Sequence, residues 1–184
     1  MRTLIVHPKD PSTDFLKPIY ATIQDKTVIT GGINKKKLRI LIEKHDRIIM
    51  LGHGTHIGLL SVGQFPKVGS YIIDYSYSDL LSEKSENIFI WCYADQFVKR
   101  NELNGIYSGM FISEVGEAFS WGFYVSDRKL IKESNESFAS IVSQNIHQPL
   151  HVFFTNVLHG YRMLAQSNPI AQFNLERLYL NSNH

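Results

Sequence analysis

Apolar residues in the first half of the chain fall into short runs, separated by stretches whose apolar positions recur at helical spacing. Thr3 to Val6 predicts a first strand. Ser12 then has the chemistry of a helix N-cap, and Phe15, Leu16, Ile19, Tyr20 and Ile23 are spaced for one helix face. Pro18 lies inside that pattern and is expected to kink or shorten the helix. Lys26 to Thr30, closed by Gly31-Gly32, predicts a second strand, and Asn34 caps a helix carrying Leu38, Leu41 and Ile42 as far as about His45. A third strand is expected over 47–52 and a glycine-rich turn over 53–58. Leu59 to Val62 and Tyr71 to Asp74 read as two strands of a hairpin, bridged by a loop with Pro66 and Gly69. Ser78 to Lys84 reads as a short helix before another apolar strand, Asn87 to Cys92.

Strand alternating with helix from residue 3 to 92 predicts an α/β fold with a parallel sheet and right-handed crossovers. Beyond Cys92, a short helix is expected over 95–103 and a strand from Tyr107 to Val115. The aromatic-rich stretch from Gly116 to Val125 reads as strand or active-site loop. Phe138, Ile141, Val142 and Ile146 mark one later helix, Val152 to Leu164 a second, and Pro169 behind Asn168 opens a third. With no internal repeat and no linker-like segment, the 184 residues read as one domain. Its core is expected over about 1–146 and a helical extension over about 147–184.

Composition narrows the partners. Nineteen basic residues against 17 acidic ones give a net charge of +2, too balanced to argue for nucleic acid, and the Lys35-Lys36-Lys37 cluster reads as a solvated helix face. No apolar stretch approaches the roughly 18 residues of a membrane span. The single cysteine excludes an intramolecular disulfide and points to a reducing, cytoplasmic setting.

The candidate chemistry sits at two strand ends. The run Arg47 to Leu51 stops at Gly52-His53-Gly54, and the run Asn87 to Trp91 stops at Cys92. Functional groups of open α/β sheets collect at the carboxyl ends of strands, so neighbouring strands would bring imidazole and thiol to one rim. A thiolate is a nucleophile that a nearby His activates, the His later protonating the leaving group. Gly54, with no side chain, would let substrate backbone approach, and its N–H paired with that of Cys92 would form an oxyanion hole. The blander reading makes Cys92 a small core residue, since cysteine is among the most buried residue types.

The order strand, Gly52-His53-Gly54, hairpin (Gly58 to Ser61 and Tyr71 to Asp74), short helix (Ser78 to Leu81) and strand ending in Cys92 resembles the caspase-like cysteine peptidases, most of all their CHAT and clostripain-like branches. Trp121 to Asp127 followed by Phe138 is similar to a later CHAT segment. The resemblance covers about residues 1–146. It implies a three-layer α/β sandwich with a mostly parallel sheet, a Cys92 nucleophile, a His53 general acid/base, an oxyanion hole from Gly54 and Cys92, no cofactor, a peptide or protein substrate, and by analogy a homodimer. A carboxylate in the specificity pocket would favour Lys or Arg substrates. Asp95 is the candidate, with Glu114 and Glu117 behind it and Trp121 stacking alongside; the competing reading of Asp95 is a helix cap.

Two other functions stay open. One is a caspase-like module without activity that binds a protein through 119–124 or the C-terminal helices. The other is a Rossmann-like nucleotide or small-ligand binder using the 52–58 loop, which requires that loop to open a helix where the peptidase reading requires a hairpin. A phosphatase loop fails because Val98 stands where Cys-x5-Arg needs arginine. His53-x-x-His56 and His147-x-x-x-His151 have metal-ligand spacing without a Cys or carboxylate to complete a site.

Overall fold

The computed structural model of the chain describes residues 1–61, 70–124 and 128–182. Its frame is a six-stranded sheet of β1 (Thr3–Val6), β2 (Lys26–Ile29), β3 (Arg47–Leu51), β7 (Ile88–Ile90), β8 (Gly105–Ser108) and β9 (Leu178–Asn181), in the order β2-β1-β3-β7-β8-β9. Every neighbouring pair is parallel except β8 with β9. Strand residues are apolar on both faces, and a period of two divides them. Ile5, Ile49, Leu51, Ile88 and Ile90 face one helical layer; Leu4, Val6, Ile48, Met50, Phe89 and Trp91 face the other. A 3-10 helix (Pro11–Tyr20), α5 (Arg128–Asn145) and α6 (Leu150–Ala165) cover the first face. The second is covered by α1 (Lys35–Lys44), α2 (Ser78–Ser82) and α3 (Ala94–Arg100). The fold is a three-layer α/β sandwich; the alternating pattern predicts its α/β class and parallel sheet, and the resemblance implies the three layers.

Between β3 and β7 the chain makes a small three-stranded antiparallel sheet: β4 (Gly54–Thr55), β5 (Gly58–Leu60) and β6 (Tyr71–Ile73). The turn after β3 therefore opens a hairpin and no helix. The phosphate-holding helix N-terminus that a Rossmann-like binder would need after Gly58 does not form. Val62, the last residue of the expected first hairpin strand, and Pro66 and Gly69 of the expected loop lie outside the described residues, as do 125–127 of the expected CHAT-like segment.

Several elements differ from expectation. The first helix is 3-10, and its cap is Asp10, whose side chain accepts from the Ser12 N–H, so Ser12 is inside the first turn. The stretch from residue 116, read as strand or loop, instead continues α4 (Val115–Ser120). That helix starts on a capping box in which Glu114 and Glu117 each satisfy the other's backbone N–H, a signal that outweighs the β-propensity of the aromatics. The C-terminal segment is no appendage. Phe153, Val157 and Tyr161 of α6 enter the main core, α7 (Pro169–Leu175) follows Asn168 as its cap, and β9, unpredicted, closes the sheet edge.

Candidate functional site

β3 and β7 are direct parallel neighbours in the register Ile49↔Ile88, Met50↔Phe89 and Leu51↔Ile90, and the Gly52 N–H continues the ladder to Ile90 O at 3.1 Å. Both chains therefore leave the sheet at the same rim. His53 and Cys92 line one small cavity of about 20 Å³, walled by Gly52, Phe15, Phe111 and Ser113 among others. The adjacent strand ends bring the two groups to one cavity, and their hydrogen bonds go to different partners.

His53 is held by a segment the sequence did not point to. Its Nε2 lies 2.7 Å from Ser12 Oγ, and Ser12 Oγ donates to Asp10 Oδ1 at 2.8 Å. A hydroxyl has one proton, so in this network Nε2–H of His53 is the donor to Ser12. Asp10 Oδ2 is 3.9 Å from the same nitrogen. Burial alone would raise the Asp10 carboxyl; the N–H and O–H donated by Ser12 prevail and hold it below the usual carboxylate range. Asp10 and Ser12 both meet His53 at Nε2, so the arrangement is not a Ser-His-Asp triad, where the carboxylate holds the far nitrogen.

Cys92 is half-buried, with Sγ 3.4 Å from Phe111 O and 3.6 Å from Glu117 Oε1. Burial, then the Glu117 carboxylate, push its thiol up to about 12. The thiol is therefore protonated at neutral pH. Among the described residues no hydrogen bond joins His53 to Cys92. Immediately after Cys92 the chain reverses into α3 through Tyr93, whose φ of 66° is left-handed. Such a conformation costs a β-carbon-bearing residue roughly 1–2 kcal/mol, and it is secured by Tyr93 N–H to Gly109 O and Ala94 N–H to Trp91 O.

The predicted accessory residues scatter. Gly54 is strand-paired with Leu59, and a β-carbon added there would lie 2.1 Å from Trp91 Cδ1 and 2.7 Å from Gly58 O. The missing side chain thus makes room for the buried Trp91 indole, which donates to Thr55 O, and not for substrate. Asp95 neither caps α3, whose N-cap is Tyr93, nor lines the shared cavity; its Oδ2 is 3.8 Å from Lys99 Nζ. Trp121 ends α4 with 44% of its surface exposed, against Phe173 and the Arg177 guanidinium. Glu114 caps α4 and lines a separate, larger cleft. Glu117 alone of the three proposed carboxylates contacts the thiol, while its Oε2 accepts from Ser113 N–H, Ser113 Oγ and Glu114 N–H.

A third strand end joins this rim. His7, just past β1, is 3% exposed, with Nδ1 3.1 Å from Tyr20 OH and Nε2 3.1 Å from Thr13 Oγ1. Burial lowers it to about 4 and keeps it neutral. Sequence reading passed over it, though its place after an apolar run matches that of His53.

Among the described residues no three His, Cys, Asp or Glu side chains converge as metal ligands, and no helix is long and apolar enough to cross a membrane. No family model matches the chain, and no curated protein matches it significantly.

Proposed function

We propose that this chain hydrolyses peptide bonds through His53 and Cys92, with the thiol stored in its protonated form. The observation that carries the reading is the adjacency of β3 and β7, which brings imidazole and thiol to one cavity. The caspase-like resemblance supports it, since strand, hairpin, short helix and strand follow one another in the order on which that resemblance rests. In the reaction the Cys92 S–H proton passes to His53 and sulfur attacks the substrate carbonyl carbon. The C–N bond then breaks as His53 protonates the leaving amine. Water, deprotonated by His53, finally cleaves the C–S bond of the acyl-enzyme. Glu117 opposes the first step, so the active form requires its carboxylate to withdraw from Sγ. A preference for Lys or Arg substrates would use Glu117, the carboxylate nearest the thiol, once it has withdrawn.

A second reading, a caspase-like module that binds a protein without cleaving it, is favoured by the high thiol pKa and by the engagement of His53 with Ser12. Iodoacetamide alkylation of Cys92 across pH separates the two. The peptidase reading expects Glu117→Gln to lower the apparent thiol pKa and speed alkylation at pH 8, with His53→Ala reversing part of the gain. A thiol that stays inert in Glu117→Gln until the protein unfolds, and ignores His53, leaves the binding module.

A further inference from the structure

The imidazole of His53 has two nitrogens, and the contact with Ser12 engages only Nε2; among the described residues Nδ1 has no hydrogen-bond partner. Ser12 reaches Nε2 from a fixed position. Its N–H and its O–H both donate to Asp10 Oδ1, at 3.0 and 2.8 Å, so the hydroxyl proton points at the carboxylate and a lone pair is left for the ring. Asp10 is anchored in turn, its carbonyl accepting from the N–H and the Oγ1 of Thr13 at 3.1 Å each. On the other side, the His53 carbonyl accepts from Leu60 N–H at 2.9 Å, which ties the His53 backbone to β5. Both halves of the contact are thus held by structure outside it.

In a serine triad the carboxylate holds the nitrogen remote from the nucleophile; it fixes the tautomer and stabilises the imidazolium without taking its proton. Asp10 and Ser12 cannot do this for a Ser12 nucleophile, since both sit at Nε2. For a nucleophile served by Nδ1 they can. With Nε2–H donated to Ser12, Nδ1 carries the lone pair and is the nitrogen able to accept the Cys92 S–H proton. The cation so formed has the Asp10 carboxylate 3.9 Å from its Nε2. The His53 and Asp10 side chains are only 23% and 18% exposed, so solvent screens that attraction weakly. Two carboxylates therefore act on the pair in opposite senses: Glu117, at the thiol, opposes the thiolate, and Asp10, at the far side of the imidazole, supports the imidazolium.

We infer that Ser12 and Asp10 are positioning residues for His53: Ser12 Oγ keeps the ring proton on Nε2 and makes Nδ1 the base, while Asp10 fixes Ser12 and stabilises the imidazolium. Use of that base on Cys92 rests on the peptidase reading; the tautomer and its holder do not. The tautomer is therefore read in Cys92→Ala labelled with ¹⁵N-histidine, at pH 8, from ¹H–¹⁵N spectra in which the His53 signals are those that a further His53→Ala removes. The expected result is an unprotonated Nδ1 and an Nε2–H that exchanges with water slowly enough to be seen. Ser12→Ala should move or erase that N–H signal, and Ser12→Thr, which keeps a hydroxyl, should return it to its native position. Asp10→Asn keeps an oxygen for the Ser12 hydroxyl, so the signal should persist while the charge is lost. With Cys92 intact in the Glu117→Gln background, Asp10→Asn should then slow iodoacetamide alkylation at pH 8 about tenfold, the scale of one charge-assisted hydrogen bond. A proton on Nδ1, or an N–H signal unchanged by Ser12→Ala, overturns the inference. So does alkylation that responds to His53→Ala and ignores Asp10→Asn. Alkylation that ignores His53 itself removes the peptidase reading, and the spectra of the Cys92→Ala chain still decide whether Ser12 holds the ring.

Discussion

Lowering the pH from 7.5 to 5 should destabilise this protein through His7. The ring is packed between Thr13 and Tyr20, and burial takes it from 6.5 in the unfolded chain to about 4 in the fold. Between those values the unfolded chain binds more protons than the folded one, so stability rises with pH across that window. The contribution of neutral His7 is fully present above about 6.5 and is lost as the pH falls toward 4. At pH 5 the loss is about 2 kcal/mol, and it levels off near 3 kcal/mol at lower pH, at ~1.36 kcal/mol for each unit between the two values. The carboxylates held low here, such as Asp10 and Asp74, titrate well below pH 5 and do not blur the comparison. Urea unfolding of the wild type and of His7→Gln at pH 7.5 and 5 measures it, since glutamine retains hydrogen-bonding capacity without titrating. The wild type should lose about 2 kcal/mol more than the variant. Equal losses would refute the claim that His7 is buried and neutral. Thr13 Oγ1 donates to Asp10 O and so accepts from His7 Nε2–H, which places the added proton on Nδ1, against the Tyr20 hydroxyl.

Gly54→Ala forces a methyl into the Trp91 indole and should cost about 1–3 kcal/mol, read as a lower Tm and a red-shifted Trp91 emission in a Trp121→Phe background. An unchanged Tm would mean that Gly54 is not held by packing. Asn168→Ala removes the cap that accepts from Ile170 and Ala171 and donates to Leu130 O, so about 1–3 kcal/mol should vanish in denaturant unfolding. Ser108→Ala leaves the buried Trp91 N–H without its acceptor beside Cys92; a loss of about 1–2 kcal/mol is expected, together with faster Cys92 alkylation as the turn loosens.

Local chemistry made much of the fold legible. Asn34 before Lys35 and Asn168 before Pro169 marked helix starts that form where expected, because a cap acts within three residues of itself. Arg47 to Leu51 and Ile88 to Ile90 were readable as strands because both faces are buried, and their adjacency followed from the sheet class. What stayed hidden was either masked by composition or set at long range. Phe119 and Trp121 suggested strand while the Glu114 and Glu117 capping box said helix. β9, Leu178 to Asn181, is buried only at Leu178 and ends on a polar residue, so it lacks the unbroken apolar run that marks β3 and β7. The contact of Ser12 with His53 spans 41 positions and that of Glu117 with Cys92 spans 25; neither residue carries a local mark of it. Gly54 was read as a place for substrate backbone to come close, and the group packed against it is the Trp91 indole.

The thiol's surroundings draw on residues far along the chain. Phe111, whose carbonyl meets Cys92, sits in a segment gripped by Asn174, which accepts from Ile112 N–H and donates to Ile112 O across 62 positions. Gly109 N–H is in turn fixed by Arg177 O, and Gly109 O receives the N–H of Tyr93. As the chain emerges during synthesis, β3 and β7 can pair long before residues 174–177 exist. The wall that buries Cys92 and sets Glu117 against it waits for them. A nascent chain is therefore expected to pass through a stage with a formed strand pair and an open, accessible thiol, so the burial that quiets this cysteine is among the last events of folding.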